Sequence, residues 1–490
     1  MKWSPAGVIK QGFKLGLGIL CPTLLLGAQP ETLPGLQQDG SVLLPNQWSL
    51  RPTGKQVPVG DFPVNMAFDR SGKYVAVLHS GYSQHEVRIL NVATNQPVSQ
   101  AAIDESFYGL AFSRDGSRLF TSGASAEVIH EFNFKNGYLS DHRELSLRGE
   151  KELGGPSGIS LSGDGASFYV AELWGQRVLR VDFASGKPLW THVIAPAKLE
   201  AEGTDPEAER WAPVVPEDSP FPYTCLADEK RGHIYVSLWA KSSVLVLDAK
   251  TGKEVAQWPV GQHPNEMVLS KDGRLFVAEA NLNTVSVLSV SDGKVMEKLS
   301  CVMDPNALPG SMPNSVALTP DEKTLFIANA NNNSVAVFDV SEARKSESLG
   351  FIPVGWFPTS VRVTPDGKQL LVANGKGVTS AANPRGPFPG DKRPRNLQEY
   401  IGSLMQGTVS FIKLPTKEER VAFYGKLTPQ VYQNSPHRSE TEHPADSPIP
   451  AKLGDPSPIR HVIYVVKENR TYDQVLGDLP QGNGDARLCL

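Results

Sequence analysis

The chain has 490 residues, 44 of them glycine and 39 proline, with a formal net charge of −4. That length exceeds one ordinary domain unless the domain is a repeat, and the slight acidity argues against nucleic acid as a main partner, since phosphate binding needs a basic stripe. Cys21, Cys225, Cys301 and Cys489 lie far apart and form no CxxC pair, which argues against a disulfide framework, a zinc knuckle or a c-type haem.

The N-terminus reads as an export signal. Lys2, Lys10 and Lys14 precede an apolar run over 15–26, and Gly27-Ala28 offers a cleavage point. The run is too short for a transmembrane span. Residues 1–28 are therefore expected to be a signal peptide, which places the protein in the periplasm or outside the cell with no stable membrane span after removal. Residues 29–54 form a Pro/Gly/Gln-rich lead-in.

From residue 55 the sequence repeats. The segment 313–340 reads PNSVALTPDEKTLFIANANNNSVAVFDV: an alternating strand, a turn, a compact apolar strand, a polar loop and a second alternating strand. Full or partial copies begin at Pro264 and Pro358, and weaker ones at Pro63, Phe107, Pro156 and Pro222. Seven copies at a period of mostly ~40–50 residues predict a seven-bladed β-propeller, an all-β fold, over 55–415. Turns such as Arg114-Asp115-Gly116, Lys271-Asp272-Gly273 and Pro365-Asp366-Gly367 supply the positive φ that tight hairpins need. The segment KQVPVG (55–60) matches the outer-strand endings VAQWPVG and GFIPVG, yet no blade precedes it. It is expected to complete the last blade and close the ring, because closure pairs edges that are otherwise exposed.

Two insertions break the period: an acidic one over 195–218 and one over 375–407 that is basic near Arg385, Lys392, Arg393 and Arg395. In an up-and-down blade both connection types emerge on one face, so both should lie over one mouth of the central channel. Loops of this length are usually functional or disordered. The Pro-Asn pairs and Asn-rich loops point to the same face. Asn265, Asn281, Asn314, Asn329, Asn331, Trp174 and Trp239 are its binding candidates. The words FVAEAN, FIANAN and LVANG resemble the YVTN-type propeller repeat, which implies the architecture and says little of function.

Residues 416–434 have helical composition and periodicity, and 435–457 read as a linker within a 416–458 connecting region. At 459 something new begins. An apolar run of strand length (459–466) leads to Lys467-Glu468-Asn469-Arg470, and Thr471 stands where it would cap a helix starting at Tyr472. Strand, polar cluster and helix make the opening of an α/β unit, whose ligands bind at the carboxyl ends of strands. Adjacent carboxylate and carboxamide oxygens suit a divalent cation. The string HVIYVVKENRTYDQVLGD, with GNGD after it, resembles the start of the phosphoesterase family that includes acid phosphatases and phospholipase C-like enzymes, related to the alkaline phosphatase superfamily. The resemblance covers 459–490 and implies that Glu468 and Asn469 are metal ligands, that the full domain takes a divalent metal ion and a phosphate-ester substrate, and that its nucleophile lies later in such a domain. No catalytic residue falls in this chain, which reads as a truncated fusion of an exported propeller with a metal-dependent phosphoesterase and is expected to be inactive by itself. The alternative is a non-catalytic binding or scaffold propeller of the cell envelope.

Overall fold

The computed structural model describes residues 34–148, 153–196, 218–304, 307–380, 385, 400–436, 444, 446–450, 455–466, 468, 470–486 and 489. Seven four-stranded antiparallel sheets follow one another along the chain, preceded by one small three-stranded sheet. Each blade opens on an inner strand: Pro63–Phe68, Leu110–Phe112, Pro156–Leu161, Pro222–Asp228, Pro264–Leu269, Pro313–Leu318 and Trp356–Val363. The fold is a seven-bladed β-propeller, as the repeats predict.

The second strand of each blade is apolar and covered on both faces, which is why it reads as a continuous run rather than an alternation. Arg274–Glu279 is buried along its whole length, and Phe276, Val277 and Ala278 are inaccessible to solvent. Each interface between neighbouring blades carries such a cluster, for example Ala76, Leu78, Val87, Ile89, Leu119 and Phe132 between blades one and two. The hairpin glycines hold the expected backbone: φ is +77° at Gly116, +89° at Gly273 and +73° at Gly367. The aspartate before each glycine accepts from a serine or threonine hydroxyl, as Asp115 does from Ser113 (2.6 Å) and Asp366 from Thr364 (2.6 Å).

Closure occurs through the orphan segment. Lys55–Pro58 pairs antiparallel with Thr408–Lys413, the third strand of blade seven, in the register Val57 to Val409. Val57 and Val59 are buried against Leu371, Ala373, Val409 and Phe411. The lead-in holds more order than its composition suggests. Gly35–Leu36, Val42–Leu43 and Ser49–Leu50 form the three-stranded sheet, and Val42, Leu44 and Leu50 pack with Trp48 and Trp356.

Helix α1 (Arg420–Asn434) fills the expected helical segment and lies on blade six. Tyr424 and Val431 are its buried anchors, and Thr428 Oγ1 accepts from the Phe351 amide at 2.9 Å. Pro429 sits inside α1, where it removes one intrahelical donor.

The C-terminal segment departs from expectation. Residues 459–466 form no strand; Val462, Ile463, Tyr464, Val465 and Val466 are 71–89 % exposed. The physical reason is the lack of a neighbour, since an isolated strand leaves its backbone groups unpaired and its apolar faces wet. The capping expectation holds. Helix α2 (Tyr472–Leu476) starts from a capping box in which Thr471 Oγ1 accepts from the Gln474 amide (3.3 Å) and Gln474 Oε1 accepts from the Thr471 amide (3.0 Å). Among the described residues no helix is long and apolar enough to cross a membrane. Cys225, Cys301 and Cys489 are unpaired thiols, and burial pushes the Cys225 thiol up to about 12.

Candidate functional site at the channel mouth

The site grows from a repeated irregularity at the start of the blades. The residue before the opening proline adopts a left-handed backbone at Phe62 (φ +44°), Phe221 (+48°), His263 (+53°) and Met312 (+57°), and Phe357 (+60°) does so before Pro358. A non-glycine side chain in this region costs of order 1 kcal/mol and persists only where its surroundings hold it. Here the holding bond is visible. In four of them the carbonyl accepts an amide from the loop between strands two and three: Ser80 to Phe62 (3.1 Å), Trp239 to Phe221 (3.0 Å), Ala280 to His263 (3.0 Å) and Ala330 to Met312 (3.0 Å); Phe357 instead donates its own amide to Asn333 Oδ1 (3.0 Å). Blade three uses Gly155 (φ +65°) at the same place, with Leu173 as donor. Immediately after the proline the register shifts in six blades, as between Pro264 and Met267 or Pro313 and Ser315. Such bulges re-aim side chains.

The consequence is a cup of about 650 Å³ at one end of the channel, lined by residues from both loop types. Phe62, Phe107, Phe221, Tyr223, Trp239 and Phe357 supply aromatic surface, while Asn265, Asn281, Asn314 and Asn331 supply carboxamides. Trp239 stacks on His263 with ring centroids 3.7 Å apart and planes 12° apart. Burial lowers the His263 pKa, which favours a neutral imidazole there. Phe107 and Tyr108 both contact Tyr223, at 5.7 and 5.0 Å. Asn281 Nδ2 donates to Gln262 and Asn331 Nδ2 to the Gly310 carbonyl, so these two amides are oriented by the rim itself. Asn314 Oδ1 is buried without a hydrogen-bond partner among the described residues. Among the described residues no carboxylate, lysine or arginine belongs to the lining.

Below the cup a polar plug joins the blades. Arg362 Nη2 donates to Glu266 Oε1 and to Asn65 Oδ1, both at 2.6 Å, and its Nε donates to the Met66 carbonyl at 2.8 Å. Glu266 also accepts from Ser315 Oγ and from the Val316 amide. Asn65 Nδ2 donates to the Tyr108 carbonyl at 2.8 Å. Blades one, two, five, six and seven thus share one ionic network. Burial, with Glu266 adding to it, raises the Tyr108 phenol well above its usual range, so it stays protonated.

Of the sequence candidates, Asn265, Asn281, Asn314, Asn331 and Trp239 come together in the cup. Asn329 and Trp174 do not line it. Asn329 is fully buried at the end of a second strand, where its Nδ2 reaches the Cys301 carbonyl at 3.4 Å. That position is a clamp on the chain entering the blade; Glu279 does the same to the Gly261 amide (2.6 Å) and His79 to the Gly60 amide (3.1 Å). Trp174 lies against Gly155. The bodies of the 195–218 and 375–407 insertions fall outside the described residues, as does Asn469. Both insertions leave the blades on the side of the cup, one between an outer and an inner strand, the other between a second and a third. Glu468 is exposed and far in sequence from any residue of the cup. Sequence reasoning missed the left-handed residues before the prolines and the Arg362–Glu266 plug. A signal existed for the first, a bulky residue before the blade-opening proline in five repeats.

A family model described as lactonase, 7-bladed beta-propeller, matches residues 246–382. No curated protein sequence matches the chain. Among solved structures, Kuenenia stuttgartiensis hydrazine synthase is similar at 17 % identity and a TM-score of 0.50, covering 64 % of this chain and 93 % of that one. A streptogramin B lyase is similar at 12 % identity and 0.51 (73 % and 97 % covered), and U3-55K at 11 % and 0.52 (74 % and 100 %). At these identities the likeness speaks to architecture, and what the chain shares with all of them is the β-propeller.

Proposed function

We propose that this protein is a ligand-binding propeller whose site is the cup at the channel mouth, and that it takes an uncharged molecule with aromatic or apolar surface and a few hydrogen-bonding groups. The observation that carries this is the ring of five left-handed non-glycine residues, which spends backbone strain to turn Phe62, Phe221, His263, Met312 and Phe357 toward one cavity. An apolar concavity with a few convergent carboxamides is the general form of a small-molecule site. Among the described residues the lining offers carboxamides, hydroxyls and one imidazole and no carboxylate, lysine or arginine, which suits an uncharged ligand.

The test uses the neutral fluorophore N-phenyl-1-naphthylamine. Its titration should saturate at one molecule per chain, and Trp239→Ala should weaken binding about tenfold, the loss of one aromatic stacking contact at ~1.4 kcal/mol. Binding that is absent, or indifferent to both Trp239→Ala and Phe357→Ala, overturns the reading.

A second reading is favoured by the string at 468–478 and the capping box on Thr471. In it the propeller serves an exported, metal-dependent phosphoesterase and presents the cup to that enzyme's phosphate-ester substrate. Glu468 and Asn469 would then hold part of a divalent ion's shell, with further ligands that 459–490 do not supply.

A further inference from the structure

Outside the cup, blade two gathers two imidazoles and a carboxylate. His130 lies on its third strand (Val128–Lys135) and His142 and Glu144 on its outer strand (Tyr138–Ser146). We propose that His130, His142 and Glu144 form a site for a divalent transition-metal ion of the zinc type, with a coordination position left open to solvent.

Four observations carry this. First, one ligand atom from each residue lies within 4.8 Å of the others. His130 Nδ1 is 3.0 Å from His142 Nε2 and 3.6 Å from Glu144 Oε1. Bonds of about 2.0–2.1 Å to a tetrahedral zinc place its ligand atoms about 3.4 Å apart. The two distances from His130 Nδ1 bracket that value, and the third pair, His142 with Glu144, lies within 4.8 Å, a gap that a turn of the exposed Glu144 side chain can close.

Second, His130 is oriented for the task. It is fully buried, and its Nε2 lies 2.9 Å from the Glu105 carbonyl, a group that only accepts. The proton therefore sits on Nε2, and the Nδ1 lone pair faces His142 and Glu144. A carbonyl behind a histidine that fixes tautomer and ring plane is what metal-ligating histidines generally have.

Third, the strand is bent to bring the second histidine in. His130 pairs with Glu144 and Glu131 with Arg143, but Asn133 pairs with Ser140, so Asp141 and His142 together face Phe132. Asp141 carries the bulge in a left-handed conformation (φ +49°), and its carboxylate is occupied by Asn133 Nδ2 at 2.8 Å. Phe132 then supports the His142 ring in a near-parallel stack at 4.6 Å and 12°.

Fourth, the donors match the ion. Two imidazole nitrogens and one carboxylate oxygen suit zinc and its neighbours rather than calcium or magnesium, which prefer oxygen alone. His142 and Glu144 are exposed, so an ion reaches the site from solvent. The site uses no residue of the channel mouth and stands independently of the reading given to it.

The experiment is calorimetric titration of the full chain, without a histidine tag and stripped by EDTA, with Zn²⁺ alone. The visible spectrum with Co²⁺ supplies a ligand-field signature. One equivalent should bind, His142→Ala should weaken binding at least tenfold, and Glu144→Gln should weaken it less. Both substitutions are at the surface, and circular dichroism verifies that the variants remain folded. The alternative is a simple N–H···N bond from His142 to His130. Absence of binding by the unaltered chain supports that alternative and overturns the proposal, as does binding that His142→Ala leaves unchanged.

Discussion

At the level of single residues, the molecule places polar side chains where a backbone amide needs an acceptor, and His79 shows what this implies for pH. Its Nε2 accepts the Gly60 amide, and its Nδ1 lies 3.2 Å from the Glu86 carbonyl, to which it donates. The ring is fully buried, and burial, aided by the Arg88 charge, lowers its pKa to about 3. Because the folded value lies below the ordinary 6.5, the unfolded chain takes up the proton first as pH falls. The stabilisation is complete above pH 6.5 and is lost progressively toward 3. At pH 5 the loss amounts to about 2 kcal/mol from this one group. Urea unfolding at pH 7 and pH 5 should therefore show a gap between the two conditions that shrinks by about that amount in His79→Gln, which keeps an acceptor but does not titrate. Burial depresses His130 and His263 as well, so part of the gap should remain. The turn aspartates contribute in a lower window; Asp115, held down to about 2 by the Ser113 and Ser117 bonds, loses its effect only below its ordinary value of 3.8. An equal gap in His79→Gln and the unaltered chain would show that this ring is not the acid-sensitive group.

Among the elements, the closing strand and the C-terminal segment make opposite predictions. Val57 and Val59 are buried in the seam between blades seven and one, whereas residues 462–466 bury almost nothing. Removing residues 1–60 should lower the melting temperature by more than about 5 °C, since the closing strand edge, the small lead-in sheet and the buried side chains of Val42, Leu44, Leu50, Val57 and Val59 are lost. Removing 459–490 should leave it within about 1 °C. The reverse pattern in calorimetry would contradict the closure argument. The contrast also explains what the sequence made readable. Closure was legible because KQVPVG repeats a word found at two other blade ends, and repeated words reveal repeated environments. The cup was legible only in part. Asn265 and Asn314 were found through the Pro-Asn pairs, but Asn329, spelled like a loop residue, is a buried clamp. The Arg362–Glu266 pair joins positions 96 apart in blades seven and five, and no local pattern announces a contact made across the channel. The 459–466 run failed as a strand for the same kind of reason: pattern gives the propensity, but a strand exists only with a partner.

For the whole molecule, the question is whether the propeller as it stands can do the chemistry that its last thirty residues resemble. Phosphate-ester hydrolysis with a metal needs several anionic ligands to hold the ion and a positioned nucleophile to attack. Within the described part of 459–490, Glu468 is an exposed carboxylate on a segment without secondary structure, and it is not among the residues that come within metal-binding distance of two other ligands. The one described cluster that meets that distance lies in blade two and draws on no residue of that segment. The 490-residue chain should therefore show no turnover of p-nitrophenyl phosphate or bis-p-nitrophenyl phosphate above background with Mn²⁺, Ca²⁺ or Zn²⁺. The variants separate the ways this can fail. Turnover abolished by Glu468→Ala would mean that the C-terminal string finds its missing ligands in the propeller, and the assignment of this chain as a recognition module would fall. Zinc-dependent turnover abolished instead by His142→Ala would move the chemistry to blade two, where the open coordination position is the feature that would permit it.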